Sequence, residues 1–213
     1  MPPQFKSQDR QWALALMREY PLAQLISVDQ GSPFITPLPL HVMSGTDDLV
    51  LLGHCARANP HWRLLEQQPK AWVIFMGPQA YMSPSVYPDL ARVPTWSYLS
   101  VHCTVQASLI DEPEGKDTLL KQIIADHEPD YAGQWRSLGA DFQQKMLAGI
   151  VGFSLTVTDL ACKLKLNQHR PEAHGAMYRQ YAHGSEQEQA LANWMRRLGM
   201  IEPESGDAPA QHG

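Results

Sequence analysis

The chain has 213 residues, of which 44% are hydrophobic, and its formal net charge is −5. That length suits one large domain or two small ones, and the hydrophobic share is enough to build a core. The acidic balance excludes a global basic surface of the kind that attracts nucleic acid. Three widely spaced cysteines, Cys55, Cys103 and Cys162, exclude a disulfide framework and favour reduced thiols.

Targeting, metal and nucleophile motifs are absent from the sequence. The N-terminus, MPPQFKSQDR, carries no apolar signal region, and no apolar run reaches the length of a membrane span. We therefore predict a soluble, cytoplasmic protein with no membrane partner. The nine histidines form no HxH or HxxxH pair, so no metal site is predicted. Since GxSxG, GxxxxGK[ST] and GxGxxG are all missing, the sequence assigns no catalytic residue.

The N-terminal half opens with a helix and continues in strands. Residues 9–19 carry apolar side chains at a spacing of four, which predicts an amphipathic helix, and residues 24–28 predict a strand. In the next strand the apolar residues share one parity, and Pro37 and Pro39 share the other. These prolines remove N–H groups from one edge, so this strand should lie at a sheet edge or beside a bulge. The nearly all-apolar run Ala71–Met76 predicts a strand buried on both faces.

The C-terminal half combines two long strands with helices. Residues 101–109 and 151–157 alternate apolar and polar side chains, and the apolar parity changes after Asp159, which suggests a bulge or turn there. Between them lie two apolar stripes of helical spacing, one at 119–124 and one formed by Trp135, Leu138, Phe142 and Met146. A last helix begins at the capping box Ser185-x-x-Glu188 and ends at Gly199.

Strands outnumber helices, which favours an antiparallel β-barrel with added helices, a mainly β, α+β fold. We predict a single domain over residues 1–202 and a disordered tail over residues 203–213, where small and polar residues dominate.

The segment GHCARANPHW, residues 53–62, joins an apolar strand to a helix. Asn59 is a favoured N-cap and Pro60 a favoured first residue, so the helix should start close to Asn59 and end before Pro69. Its free N–H groups would then face Arg57 and His54, an arrangement that suits a phosphate. Spacing alone favours the alternative, that Arg57 pairs with a surface carboxylate and His54 packs in a loop, because a junction of strand, arginine and helix is common.

Five motifs in order carry a resemblance to a known family: GHCARANPHW, FMGPQAYMSPSVY (75–87), VPTWSYLSVH (93–102), GIVGF (149–153) and KLKLNQHR (163–170). Together they resemble the PaiB-type family over about residues 1–175. The resemblance implies an FMN-binding split β-barrel related to the pyridoxamine phosphate oxidases, with FMN near the interface of a homodimer. The chain departs from the family pattern at Pro37, Val86, Ser97 and Asn167.

The resemblance also implies which residues contact FMN. On the phosphate side these are His54, Arg57, Ala58 and Asn59, and Thr36 of the second strand is a further cofactor contact. On the ring side, Lys165 and Gln168 would stabilise the reduced flavin and Trp96 and Tyr98 would flank it. The alternatives are that Lys163 and Lys165 form a solvated basic edge strand and that the aromatic residues belong to the core.

Three functions follow as hypotheses. The first is an FMN-binding protein, and if it is an enzyme, an FMN-dependent oxidoreductase. The second is a PaiB-like transcriptional regulator, since family members are commonly described in that way. The net charge and the lack of a basic recognition helix argue against strong autonomous DNA binding, so nucleic acid is not expected as a direct partner. The third is a binding module that has lost its flavin, which the change at Pro37 suggests.

Overall fold

The computed structural model describes residues 5–7, 9–43, 48–89 and 91–201. Within them the strands are β1 Lys6–Ser7, β2 Leu22–Asp29, β3 Ser32–Pro39, β4 His41–Val42, β5 Val50–Ala56, β6 Lys70–Met82, β7 Thr95–Ile110 and β8 Ile150–Lys165. The helices are α1 Arg10–Glu19, α2 His61–Gln67, α3 Pro113–His127, α4 Tyr131–Ser137, α5 Ala140–Ala148, α6 Pro171–Ala182 and α7 Glu186–Arg197. A 3-10 turn covers Pro84–Val86.

One sheet contains all eight described strands. Its order is β3-β2-β6-β7-β8-β5-β4, and β1 pairs with β8. The pairs with an assigned register, such as β2 with β3 and β5 with β8, are antiparallel. The order begins at β3 and ends at β4, so the sheet is open in the described part of the chain. The α+β prediction with an antiparallel sheet is therefore confirmed.

The chain divides into two compact units. The first unit comprises the described residues of Met1–Asp9, Met76–Ser100 and Cys162–Gly213, and the second comprises those of Arg10–Phe75 and Val101–Ala161. Leu164, Met177, Tyr181 and Trp194 are buried in the first unit. The second unit buries the inner faces of its strands and of α1, with Leu16, Leu25, Leu51, Phe75 and Phe153 fully enclosed. The single domain over residues 1–202 stays a prediction, and the predicted tail at 203–213 lies outside the described residues.

Several local predictions are confirmed. Helix α1 and the strands at 101–109 and 151–157 form where the periodicity places them. Strand β3 is an edge strand, as Pro37 and Pro39 predict. Ser185 and Glu188 form the reciprocal capping box of α7, and Gly199 adopts a φ of +67° just beyond its end.

Three other expectations are wrong or incomplete. Ala71–Met76 is buried on one face only, since Trp72 is 39% exposed and Met76 is also exposed. The stripe at 135–146 is divided between α4 and α5, because the backbone is extended at Leu138 and Gly139, and its Phe142 is left exposed. Helix α6 was not predicted, although its buried residues Ala173, Met177 and Tyr181 recur at a spacing of four.

All three cysteines are buried and unbonded. Burial raises the pKa of the Cys162 thiol to about 11, so this thiol stays protonated at neutral pH. Among the described helices, none is both long and apolar enough to cross a membrane.

The close approach at Gly152 yields a stability prediction. A Cβ atom there would lie 2.7 Å from Leu119 Cδ2 and 3.1 Å from the carbonyl oxygen of Ile110. We expect Gly152→Ala to lower the free energy of unfolding by about 1–3 kcal/mol, because the main-chain oxygen cannot move aside. Chemical denaturation of the purified protein measures the change.

Gly133→Ala is the matched control for that measurement. Gly133 lies inside α4, and a Cβ atom there meets no atom within 4 Å. This substitution should stabilise the protein by up to about 1 kcal/mol through helix propensity. Equal effects of the two substitutions would contradict the close-packing argument.

Candidate functional site

The junction between β5 and α2 places the phosphate-side residues in the second unit. Helix α2 begins at His61 with Pro60 as its N-cap residue, and Asn59 Oδ1 accepts the N–H of His61 at 3.0 Å. Asn59 therefore satisfies one of the free N–H groups of the first turn, and α2 ends before Pro69 as predicted. Since α2 has only seven residues, the side chains around it decide what this junction binds.

A buried imidazole connects this junction to the sheet. His61 is fully buried, with Nδ1 at 2.7 Å from Thr36 Oγ1 and Nε2 at 3.0 Å from Ser27 Oγ. The amide of Asn59 donates to the same Thr36 hydroxyl at 3.4 Å. Burial lowers the pKa of His61 to about 4, so the ring is neutral at pH 7. The structure thus brings together Thr36 and Asn59, and His61 is the residue that joins them.

Arg57 extends to a different partner. Its Nη2 pairs with Asp111 and donates to the carbonyl of Ile150 at 3.2 Å, while Nε donates to the carbonyl of Ala148 at 3.0 Å. Asp111 also accepts from the buried ammonium of Lys116 at 3.1 Å. Hydrogen bonds from Arg57 and then Lys116 hold the pKa of Asp111 below its ordinary value.

Two cations on one carboxylate leave one positive charge at this group. No hydrogen bond of Arg57 Nη1 is recorded among the described residues. This nitrogen is therefore available to an incoming anion. The sequence raised two alternatives for Arg57, a phosphate contact and an ion pair with a surface carboxylate. In the structure Arg57 pairs with the carboxylate of Asp111, and its Nη1 stays available as a donor.

His54 and Ala58 flank the same junction. His54 lies on β5 opposite Gly152 of β8 and is half-buried, and burial lowers the pKa of its imidazole. Ala58 is exposed in the turn that follows β5. No described side-chain hydrogen bond links either residue to Arg57 or Asn59, so their role as cofactor contacts stays a prediction.

Two of the ring-side residues, Trp96 and Lys165, line one cavity of about 290 Å³ in the first unit. Lys165 Nζ donates to Thr95 Oγ1 and to the carbonyl oxygen of Trp96, both at 2.6 Å. Because an ammonium has three N–H donors, one remains for a ligand. The indole of Trp96 is 52% exposed, so it is not a core residue.

Tyr98 sits between two lysines beside that cavity. Lys163 donates to its hydroxyl, and the ammonium groups of Lys163 and Lys165 lie 4.7 Å and 5.6 Å from its ring centroid. Burial, with added repulsion from Lys163, lowers the pKa of Lys165. Tyr98 therefore orients the basic pair, and it is not among the residues that line the cavity.

Gln168 has a local structural role. Its Oε1 accepts the N–H of Leu166 at 3.1 Å, and its amide donates to the carbonyl of Leu164. Both polar ends of the side chain thus brace the turn that ends β8. A contact between Gln168 and a flavin stays a prediction.

Sequence reasoning missed three residues of these groups. His61 lies inside the motif GHCARANPHW, but it belongs to no HxH or HxxxH pair, so the spacing of the histidines does not mark it. Asp111 and Lys116 are far from Arg57 in sequence, and no periodic pattern connects them. They reach the junction because β8 lies between β5 and β7 in the sheet, so that the residues after β7 come close to the residues after β5.

Comparisons with known proteins identify the family. Residues 1–159 match the family described as "Putative FMN-binding domain". The chain belongs to this FMN-binding family. It is also 33% identical over 174 residues to "Protease synthase and sporulation protein PAI 2" of Bacillus subtilis, an alignment covering 81% of this chain and 83% of that protein. The resemblance to the PaiB-type family is confirmed, and FMN is the cofactor that membership assigns.

Solved structures confirm the fold. The flavocytochrome Anf3 from Azotobacter vinelandii superposes with a TM-score of 0.60 at 20% identity, covering 77% of this chain and 71% of that one. The FAD and heme binding protein from Mycobacterium smegmatis gives a TM-score of 0.61 at 20% identity, covering 76% and 74%. At these identities the likeness concerns the fold, the flavin-binding split barrel.

Each group, taken within its own unit, is chemically suited to one part of a flavin mononucleotide. A phosphate needs a cationic donor, and Arg57 offers its free Nη1. A flat, electron-accepting ring needs an aromatic surface and a cation, which Trp96 and Lys165 present in their cavity.

The buried imidazole of His61 yields a prediction about pH. Its folded pKa of about 4 lies below the unfolded value near 6.5. The unfolded chain therefore binds the proton first, so stability is complete above about pH 6.5 and falls as the pH approaches 4. We expect this group to contribute about 3 kcal/mol to that loss.

Denaturant titrations from about pH 7 to about pH 4.5 measure the slope of unfolding free energy against pH. His61→Gln should show a shallower slope than the wild type. Part of the slope should remain in this variant, because the pKa of His54 is also lowered. Identical slopes in both proteins would show that His61 is not the titrating group.

Proposed function

We propose that this protein is a small cytoplasmic oxidoreductase that holds FMN without a covalent bond and acts as a homodimer. When bound, FMN supplies the electron-transfer chemistry. The observation that carries the proposal is that the Lys165 ammonium and the exposed Trp96 line one cavity, because a cation can tune a flavin and an aromatic side chain can flank its ring.

On the ring side we propose that Lys165 contacts the flavin directly with its remaining N–H. A cation near the pyrimidine end of the ring stabilises the anionic reduced flavin and raises its reduction potential. Thr95 and the Trp96 carbonyl hold the ammonium in place, and Tyr98 keeps Lys163 beside it. Gln168 supports this end of β8 through its main-chain contacts.

On the phosphate side we propose that Arg57 binds the FMN phosphate through Nη1, next to Ala58 and Asn59. Asp111 opposes this contact, since its carboxylate is a second anion on the same guanidinium. The buried Lys116 offsets that carboxylate. Thr36 and His54 complete the group proposed from the sequence.

A regulatory role is the second candidate, because the name of the Bacillus subtilis relative refers to a protease synthase and to sporulation. The net charge of −5 gives the chain little non-specific attraction to DNA. Under this alternative the protein acts through a small molecule or a protein partner, without strong autonomous DNA binding.

The phosphate assignment predicts a specific pattern of affinities. Arg57→Ala should weaken FMN binding about tenfold to a hundredfold, because a charge-assisted contact is lost. The affinity for riboflavin, which has no phosphate, should not change. Fluorescence titration of both flavins into the wild type and the variant measures the difference.

Asp111→Asn is the control for that titration. It should tighten FMN binding, since it removes the competing anion and leaves the shape of the side chain. If Arg57→Ala weakens FMN and riboflavin equally, Arg57 does not hold the phosphate. If the wild type binds no FMN, the proposed function fails.

The homodimer proposal is based on an exposed apolar face of the second unit. Ile35 of β3, Ile26 of β2 and Trp72 of β6 lie side by side in the paired strands. Ile35 is 53% exposed, and Leu22 and Val28 lie exposed on the same face. Contiguous apolar surface of this kind marks a site of association.

Light scattering tests that proposal. The wild type should have twice the chain mass of 23.9 kDa, and Ile35→Lys should shift it toward the single-chain mass, because a buried charge disfavours the interface. Phe142→Lys, at an exposed apolar residue of α5, is the control and should remain a dimer. A wild type with the mass of one chain would contradict the proposal.

A further inference from the structure

The cavity that Trp96 and Lys165 line also carries positive groups that no cofactor contact accounts for. Arg92 and Arg170 line it as well, and the described lining residues include no carboxylate. Their ion-pair partners, Asp89 at 2.8 Å and Glu172 at 3.7 Å, do not line the cavity. The charged side chains of the described lining, with Lys165, are therefore all basic.

Arg92 is the cation with an unsatisfied donor. Its Nη2 pairs with Asp89 at 2.8 Å, and its guanidinium stacks over the Tyr87 ring at 5.2 Å. Its Nε is buried and has no hydrogen-bond partner among the described residues. A buried donor without an acceptor is costly, so a ligand oxygen placed there would remove an existing penalty.

The wall beside Arg92 is rigidly held. The Tyr87 hydroxyl donates to Asn167 Oδ1 at 3.1 Å, and His174 Nε2 lies 3.0 Å from the Asn167 carbonyl oxygen. Asn167 is buried and has a φ of +64°, a left-handed conformation that Asn tolerates better than most residues. Tyr87 and Trp96 are the tyrosine and tryptophan that line the cavity beside Arg92 and Lys165.

We propose that this part of the cavity binds a small planar carboxylate, which is the class of substrate of the proposed oxidoreductase. The carboxylate accepts hydrogen bonds from Arg92, and its flat, conjugated part lies against Tyr87 and Trp96. The substrate role rests on the proposed function, because Lys165 and Trp96, the proposed ring contacts, line the same cavity.

Calorimetric titration of benzoate into the FMN-loaded protein tests the inference. Benzoate should bind and should perturb the visible absorbance of the flavin, while neutral benzyl alcohol and inorganic phosphate should bind much more weakly. Arg92→Gln should weaken benzoate at least about tenfold, and Arg92→Lys, which keeps the charge, should weaken it less. Arg179→Gln, at an exposed arginine of α6, is the matched control and should bind benzoate as the wild type does.

The outcomes separate the two proposals. FMN binding without benzoate binding overturns this inference alone. Equal binding of benzoate and benzyl alcohol, stronger binding of phosphate than of benzoate, or an unchanged affinity in Arg92→Gln also overturns it. Failure of the wild type to bind FMN overturns the proposed function and the substrate role together.

Discussion

The neutral imidazole of His61 is the contact on which the phosphate-side group depends. It connects the start of α2 to β2 through Ser27 and to β3 through Thr36. A protonated ring would place a positive charge in a buried position and would donate from both nitrogens. The lowered pKa of His61 reflects the free-energy cost of burying that charge. With His61 fixed, Asn59 can hold the first turn of the helix, and the chain between β5 and α2 has a defined path. Arg57 projects from that path toward Asp111.

Charge is arranged differently in the two candidate groups. At Arg57, an exposed carboxylate is shared between two cations, so the ion pair itself contributes little to stability. Under the proposed function, the ion pair holds the Arg57 guanidinium where the FMN phosphate would bind. At Lys165, hydroxyl and carbonyl oxygens replace a counter-ion. An ammonium solvated by neutral oxygens keeps its full charge for a ligand, which suits a redox cofactor whose own charge changes.

The features that could be predicted from the sequence are those that depend on the order of neighbouring residues. The edge position of β3 followed from two prolines of one parity, and the start of α7 followed from a capping box. The sequence could not show that Asp111 pairs with Arg57, since that contact depends on the sheet order, in which β8 lies between β5 and β7. Burial was also misjudged where a run is apolar throughout. Trp72 shows that such a run need not be enclosed on both faces. Trp96 and Lys165, named from the family motif, do line one cavity, but their contact with FMN remains a prediction.

The prolines of β3 also limit how copies of this chain can associate. The terminal strand β3 carries prolines of one parity, Pro33, Pro37 and Pro39. Because proline has no N–H group, the free edge of the strand lacks a hydrogen-bond donor at each of these three positions. Another strand therefore cannot extend the sheet there by regular hydrogen bonding. In the proposed homodimer, contact between copies would use the apolar face around Ile35, because a two-fold arrangement covers the same surface on both partners. Assembly through a face of this kind ends at a closed pair, whereas growth along an open edge would continue into fibrils.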